Sequence, residues 1–407
     1  MLKTFTPSFP REVWVYTVIL YFFIARKTLF DTAKEVGNYS VTFDSGTFLA
    51  VIGILCSCVV TLYNKSKVNH VIRTNQNFLS YYILAFLSFI WAGHFFAIAF
   101  KAIEVISCFL LVGITLLSLR NAKEGILYII FLSTVITWSD IINYNLKYGF
   151  GFYHTNGYTL TALIGLLLAF GSIKFKIFRY KNLKYYIWLC LYGLFFGTSS
   201  ASYISFIAGL IVLFCYDKKG INLFKIICIG GIICFLYYIA SEIIVKYIFY
   251  GKSITTIENG TGRAAIWEAA HKAFLSHPLT GGGFVVAERD LGKWGISGIN
   301  VLSAHNTFIS VLVNTGIIGL LIFLTFIIKW VLQSFVKSNH NNVYARILFP
   351  PIVASLINCN SMPAIGSDWN YTSPCLYALI IFSFSIIFKL KHKINFHYNG
   401  SKKKYQY

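Results

Sequence analysis

Between Gly260 and Gly319 the chain gathers residue types suited to acid–base and anion chemistry: Arg263, Trp267, His277-Pro278, Gly281 to Gly283, and His305-Asn306. An imidazole with its ordinary pKa of about 6.5 accepts a proton at neutral pH, which makes His305 a candidate general base. A guanidinium stays charged and can hold two phosphate oxygens with parallel hydrogen bonds, so Arg263 is a candidate anion ligand. At a membrane edge the same arginine could instead bind lipid headgroups. Trp267 can stack on a sugar face or serve as an interfacial anchor. Asn306 is a candidate substrate contact, and equally a residue that orients the loop or caps the helix after it.

The spacing predicts a helix over 263–276. Arg263, Trp267 and His271 fall at i, i+4 and i+8, while Ile266, Ala270 and Phe274 form a neighbouring apolar stripe. Thr261 could cap it, and Pro278 with Gly281 ends it. Such a helix is expected to lie on a bilayer surface, apolar stripe down and cations up.

The elements that must position these residues are set by composition. The 407 residues are 57% hydrophobic, 18% aromatic and only 12% charged, too apolar for one soluble core. A helix crossing about 30 Å of hydrocarbon needs roughly 20 apolar residues. About twelve such runs are expected, near 13–30, 47–63, 78–92, 103–119, 125–143, 158–173, 184–197, 201–216, 226–247, 306–328, 347–360 and 371–388. The expected fold class is therefore an all-α polytopic membrane protein, one domain over 1–407 with a large outer loop at 248–304 carrying short amphipathic helices. The first run begins beyond Glu12 and no small-residue cleavage pattern follows it, so it is expected to remain as an anchor.

Lys and Arg are retained in cytoplasmic loops, which fixes orientation. With the N-terminus inside, most of the 35 cationic residues fall in 64–77, 120–124, 174–184, 217–225, 329–346 and 389–407. The termini are then cytoplasmic. Four polar clusters open on the opposite face: Gly151 to Gly157, Gly197 to Ser202, the 248–304 loop, and Gly366 to Asn370. The net charge of +21 is spread over short loops facing anionic lipid, not over one basic face, which argues against nucleic-acid binding. The nine cysteines sit in or at the ends of apolar runs without a CxxC pair, and no HExxH-type spacing occurs, so neither disulfides nor a metal site is expected.

The ordered series Thr261-Gly262-Arg263-Ala264-Ala265-Ile266-Trp267, His277-Pro278-Leu279-Thr280-Gly281-Gly282-Gly283, His305-Asn306-Thr307 and Gly316-Ile317-Ile318-Gly319-Leu320 resembles the signature of the O-antigen ligase and Wzy-type polysaccharide polymerase superfamily. The layout of twelve spans with one large outer loop before a late span is similar to that family over nearly the whole chain. His154-Thr155-Asn156 is similar to a His-Pro-Asn element that recurs in polymerase members, which favours polymerase over ligase.

The resemblance implies a bacterial inner-membrane enzyme without cofactor, with its active site facing the periplasm. It would pass a glycan from undecaprenyl diphosphate to a sugar hydroxyl. Its partners would be the lipid-linked oligosaccharide donor, a saccharide acceptor, membrane lipids and a chain-length regulator protein. His305 would be the base and Arg263 the diphosphate ligand. Trp267, Asn306, His154, Asn156, Ser200, Arg289 and Lys293 would line the substrate region.

Where many members have Ser-Arg or Thr-Arg, this chain reads Thr198-Ser199-Ser200-Ala201, so the second arginine is missing. Arg289, Lys293, Lys252 or Lys147 could replace it. The hydroxyls and N–H groups of 198–202 at a helix start are the other option. His154 and Asn156 could equally form an ordinary turn. Asp368 beside Trp369 has the composition of a sugar site or of a solvated loop, and Glu104, Asp140 and Glu242 read as packing or interface residues. A flippase for the same lipid-linked saccharide is the non-enzymatic alternative. Transporters favour halved repeats and polar groups at the membrane midplane, and this sequence has neither.

Overall fold

The computed structural model describes residues 7–29, 44–151, 156–217, 220–222, 224–225, 227, 230–231, 263–294, 303–340, 342–368, 370 and 372–385. Over these residues the chain is a helical bundle whose strand pairing is one short antiparallel hairpin, β1 (Tyr216–Asp217) against β2 (Gly220–Ile221). The first half comprises α1 (Arg11–Leu29), α2 (Ser45–Tyr63), α3 (Lys65–Thr74), α4 (Gln76–Leu87), α5 (Phe89–Ala92), α6 (Phe95–Leu117), α7 (Ala122–Tyr148) and α8 (Gly157–Lys174). Then come α9 (Tyr180–Phe196), α10 (Ser200–Phe214), α11 (Arg263–Ser276), α12 (Val286–Arg289), α13 (Thr307–Asn339), α14 (Val343–Asn358) and α15 (Ser373–Ser385).

Five of these helices, α2, α6, α7, α8 and α13, are long and apolar enough to cross a membrane. Helices α10, α14 and α15 are apolar but shorter. The expected run at 226–247 lies largely outside the described residues. Most of 64–77, legible in the sequence only as a cationic connection, forms a helix of its own, α3, whose Val71 is buried. The expected run 78–92 is broken at Ser88 and ends at Gly93, which takes the left-handed conformation that caps helices.

Burial sorts the helices into layers. Helix α8 is central: it packs against α7, α9, α10 and α14, and Leu160, Leu163, Leu166, Leu167 and Leu168 are all buried. Helix α2 instead exposes Phe48, Leu55, Val59 and Leu62, and α13 exposes Leu321, Ile328 and Leu332, as expected of helices that face lipid. Polar caps fix the helix starts. Asp44 accepts from the Thr47 amide at 2.6 Å, and Asn121 accepts from the Glu124 amide at 2.9 Å.

Segments that the charge pattern assigns to one face touch each other. Asn64 donates to Tyr16, Lys67 to Ser118, and the Ile221 amide to Asn339. Segments assigned to the opposite face do the same: Asn156 donates to the Ser361 carbonyl and Trp91 to the Gly281 carbonyl.

Candidate active site

The loop before α13 is held by backbone. Helix α13 is interrupted at Gly316 (φ 64°, ψ −165°), which frees the carbonyls before the break and the amides after it. The Pro278 to Gly283 turn fills both sets. Gly282 and Gly283 donate to the carbonyls of Val313 and Asn314 at 3.0 Å each, while Ile317 and Ile318 donate to Pro278 and Leu279 at 3.0 and 3.2 Å. The approach is close enough that a Cβ on Gly281 would stand 2.5 Å from the backbone of Asn314 and Thr315. The broken third span receives the other side of the turn: Trp91 donates to the Gly281 carbonyl at 3.1 Å and the Phe284 amide to the Ser88 hydroxyl at 2.9 Å. Gly281 and Gly316 are therefore explained by this joint.

Helix α11 spans the residues its periodicity predicts. Its stripe, however, is covered by protein. Ala269, Ala270 and Ala273 pack with Ala287, Leu291, Ala304 and Val313, making a small second core on the N-terminal half of α13. Phe274 is only half-buried, and the aliphatic Leu275 and Leu279 are exposed instead.

That small core sets the candidate residues side by side. The Trp267 indole donates to the Ala304 carbonyl at 3.0 Å, tying α11 to the residue just before His305. His305 sits in the left-handed region at φ 50°, a conformation that costs a residue with a Cβ about 1–3 kcal/mol and persists only where neighbours enforce it. Its amide donates to the Ser303 hydroxyl at 3.1 Å. Asn306 caps α13, its side-chain oxygen accepting from the amides of Phe308 and Ile309 at 2.9 and 3.2 Å. The His305 ring is exposed, yet partial desolvation, and then the charge of Arg263, hold its pKa below the ordinary histidine value. Arg263 is itself partly buried and remains a cation at neutral pH.

Glu288 is the residue that sequence reasoning missed. Only 4% exposed, it accepts from the Ala304 amide at 2.8 Å and the Ser310 hydroxyl at 2.7 Å through Oε1. Through Oε2 it accepts from Asn314 at 3.3 Å and Ser367 at 3.4 Å. Burial pushes its pKa up, and the bonds from Ser310 and Ala304 oppose that rise.

Its neighbour Arg289 joins a chain of charges. Asp368 lies 3.9 Å from Arg289 and 3.5 Å from Lys101, Lys101 lies 3.3 Å from Glu104, and Glu104 pairs with Arg26. Glu104 is fully buried and carries a shared ion pair, which replaces its reading as a packing residue. The usable signal was the presence of Arg26, Lys101 and Glu104 in apolar helices, where ionisable groups are costly unless paired. The turn bearing Asp368 is held by α4: the Tyr81 hydroxyl donates to the Gly366 carbonyl, and the Gly366 amide donates to the Tyr82 hydroxyl at 3.0 Å.

The remaining candidates are placed less directly. The Asn156 amide donates to Ser361 at 3.3 Å and its oxygen accepts from the Ser199 hydroxyl, so both ends of that side chain have protein partners. Ser200 and its neighbours Ser199 and Ser202 are buried, with Ser202 bonded to Thr159 and Asn358. Lys293 is exposed and pairs with Asp290 at 2.8 Å. Lys147 lies over the Tyr148 ring. His154, Lys252 and Trp369 lie outside the described residues.

An α-helical membrane protein that sets an imidazole and an arginine together before a long apolar helix is the class these features define. Residues 185–324, about a third of the chain, match the family model described as O-antigen ligase (Wzy_C), which supports the O-antigen ligase and polymerase superfamily. The matched stretch contains Arg263, Trp267, Glu288, Arg289, His305, Asn306 and Gly316. It begins after Asn156 and ends before the 364–368 turn. No curated protein matches the chain.

Proposed function

We propose that this chain is a Wzy-type polysaccharide polymerase, an inverting, metal-independent glycosyltransferase that joins undecaprenyl-diphosphate-linked repeat units at the outer face of the bacterial inner membrane. The observation that carries the reading is the Trp267–Ala304 hydrogen bond, which brings the arginine-bearing helix to the histidine. His305 takes the proton of an acceptor hydroxyl. The acceptor oxygen forms a bond to the donor's anomeric carbon, and the bond from that carbon to phosphate breaks with its electron pair leaving on undecaprenyl diphosphate. Arg263 holds the diphosphate as its charge grows. Arg289 takes the place of the missing second arginine, because among the described alternatives it is the one on the helix whose Glu288 contacts the His305 loop. In this reading the chain has twelve spans, cytoplasmic termini and a periplasmic 248–304 loop, and works beside a chain-length regulator.

The description of the matched family favours a second reading, a ligase that moves the glycan to lipid A core. Incubating purified protein with lipid-linked repeat units alone separates the two. A ladder of products is expected; transfer that appears only when lipid A core is added would establish the ligase, and no transfer in either case would leave a flippase.

The pH dependence tests the two named residues together. A base whose pKa is depressed is deprotonated above that lowered value, so activity should fall only below the ordinary histidine pKa of about 6.5. Arg263→Gln removes a cation that disfavours imidazolium. Its acid limb should move up in pH while turnover drops. Arg263→Lys keeps the charge, so the limb should stay, but turnover should still fall because an ammonium cannot make the bidentate contact. A limb that is identical in all three enzymes would separate Arg263 from His305.

A further inference from the structure

We infer that Glu288 is a positioning residue for His305, a role that rests on the general-base reading above. The carboxylate is bonded on both sides of the histidine's attachment. Toward the chain before it, Oε1 accepts from the Ala304 amide at 2.8 Å, and the Ser303 hydroxyl accepts from the His305 amide at 3.1 Å. Toward the chain after it, the same carboxylate holds Ser310 at 2.7 Å and Asn314 at 3.3 Å on the N-terminal half of α13. Glu288 is bonded back to Asn314 through its own amide at 3.2 Å, so α12 cannot slide along α13 without losing both bonds.

The Ala304 peptide flanking the histidine is thus held on both sides, its N–H by Glu288 and its carbonyl by Trp267. A left-handed histidine needs this kind of enforcement. Around the two oxygens stand an amide N–H, a side-chain NH₂ and serine hydroxyls, all able to donate to them. A glutamine of the same shape would turn an NH₂ toward one of these donors. Glu288 therefore fixes where the imidazole stands without touching the reacting atoms.

The test uses the full-length protein with lipid-linked repeat units. Glu288→Gln is expected to lower kcat roughly 10²-fold, the scale of a misplaced reacting group, with KM for the donor unchanged. Against the residual turnover of His305→Ala, the same substitution should cost nothing further. Ser310→Ala, which removes the hydroxyl bonded to Oε1 at 2.7 Å without altering the second core, should lower kcat in the same selective way, and it carries the test if Glu288→Gln fails to reach the membrane. Unchanged kcat in the variant that does reach the membrane overturns the inference. So does a full additional loss in the His305→Ala enzyme, which would show Glu288 acting elsewhere. Full turnover in His305→Ala itself would instead remove the general-base reading.

Discussion

Replacing His305 with alanine should reduce polymer formation by about 10²–10⁴-fold, the range a positioned general base contributes, while the amount of protein in the membrane stays the same. The two halves of this expectation have different structural causes. The ring is exposed and makes no part of either apolar core, so removing it leaves the packing of Ala304 and Val313 intact. Asn306 still caps α13, and the left-handed backbone at 305 remains bracketed by Glu288 and Trp267. Only the proton acceptor is lost. The check is a ladder assay on membranes matched for protein content, and normal long-chain product would remove His305 from the chemistry.

Gly316→Ala should do the opposite and damage the structure that holds the site. A Cβ at 316 would stand 2.3 Å from the Leu279 carbonyl oxygen and 2.6 Å from the Gly281 nitrogen. Both are backbone atoms of a turn already bonded on either side, so they cannot step aside. The left-handed conformation adds a cost of its own, and the four backbone bonds between the turn and α13 are put at risk. Together these amount to a destabilisation of about 3–5 kcal/mol, read as a lower unfolding temperature and as faster protease cleavage between 263 and 294. Wild-type resistance to protease would show that the loop is held by something other than this joint.

Much of the helical layout was legible because apolar runs of bilayer length leave few alternatives. The limits of α11 were equally plain, set by a 3.6-residue period that stops before His277-Pro278. Its surroundings were not. Periodicity reports that one face is apolar but not what covers it, and here the cover is alanine and leucine from the loop itself. The break in α13 is a tertiary matter: the Gly316 break exists because a turn some thirty-odd positions earlier inserts into it.

Glu288 was hidden for a related reason. Its partners are 16, 22, 26 and 79 residues away, and no local pattern links Ala304, Ser310, Asn314 and Ser367. The histidine and the arginine are candidates through their residue types and the resemblance of their motifs. The charge chain through Lys101 and Glu104 had a visible cue in ionisable residues within apolar helices, but its pairing depends on which helices meet.

The turn at 364–368 has a consequence for how the protein is made. Tyr81 and Tyr82 bind that turn, Ser367 contributes to the Glu288 cluster, and Asp368 joins Arg289 to Lys101. These bonds are closed by residues that leave the ribosome after α13, between α14 and α15. A nascent chain that has already made its histidine-bearing loop still lacks this closure. The proposed enzyme therefore stays incompletely assembled until α14 and α15 are made, and premature termination after α13 would release a fragment that lacks this closure.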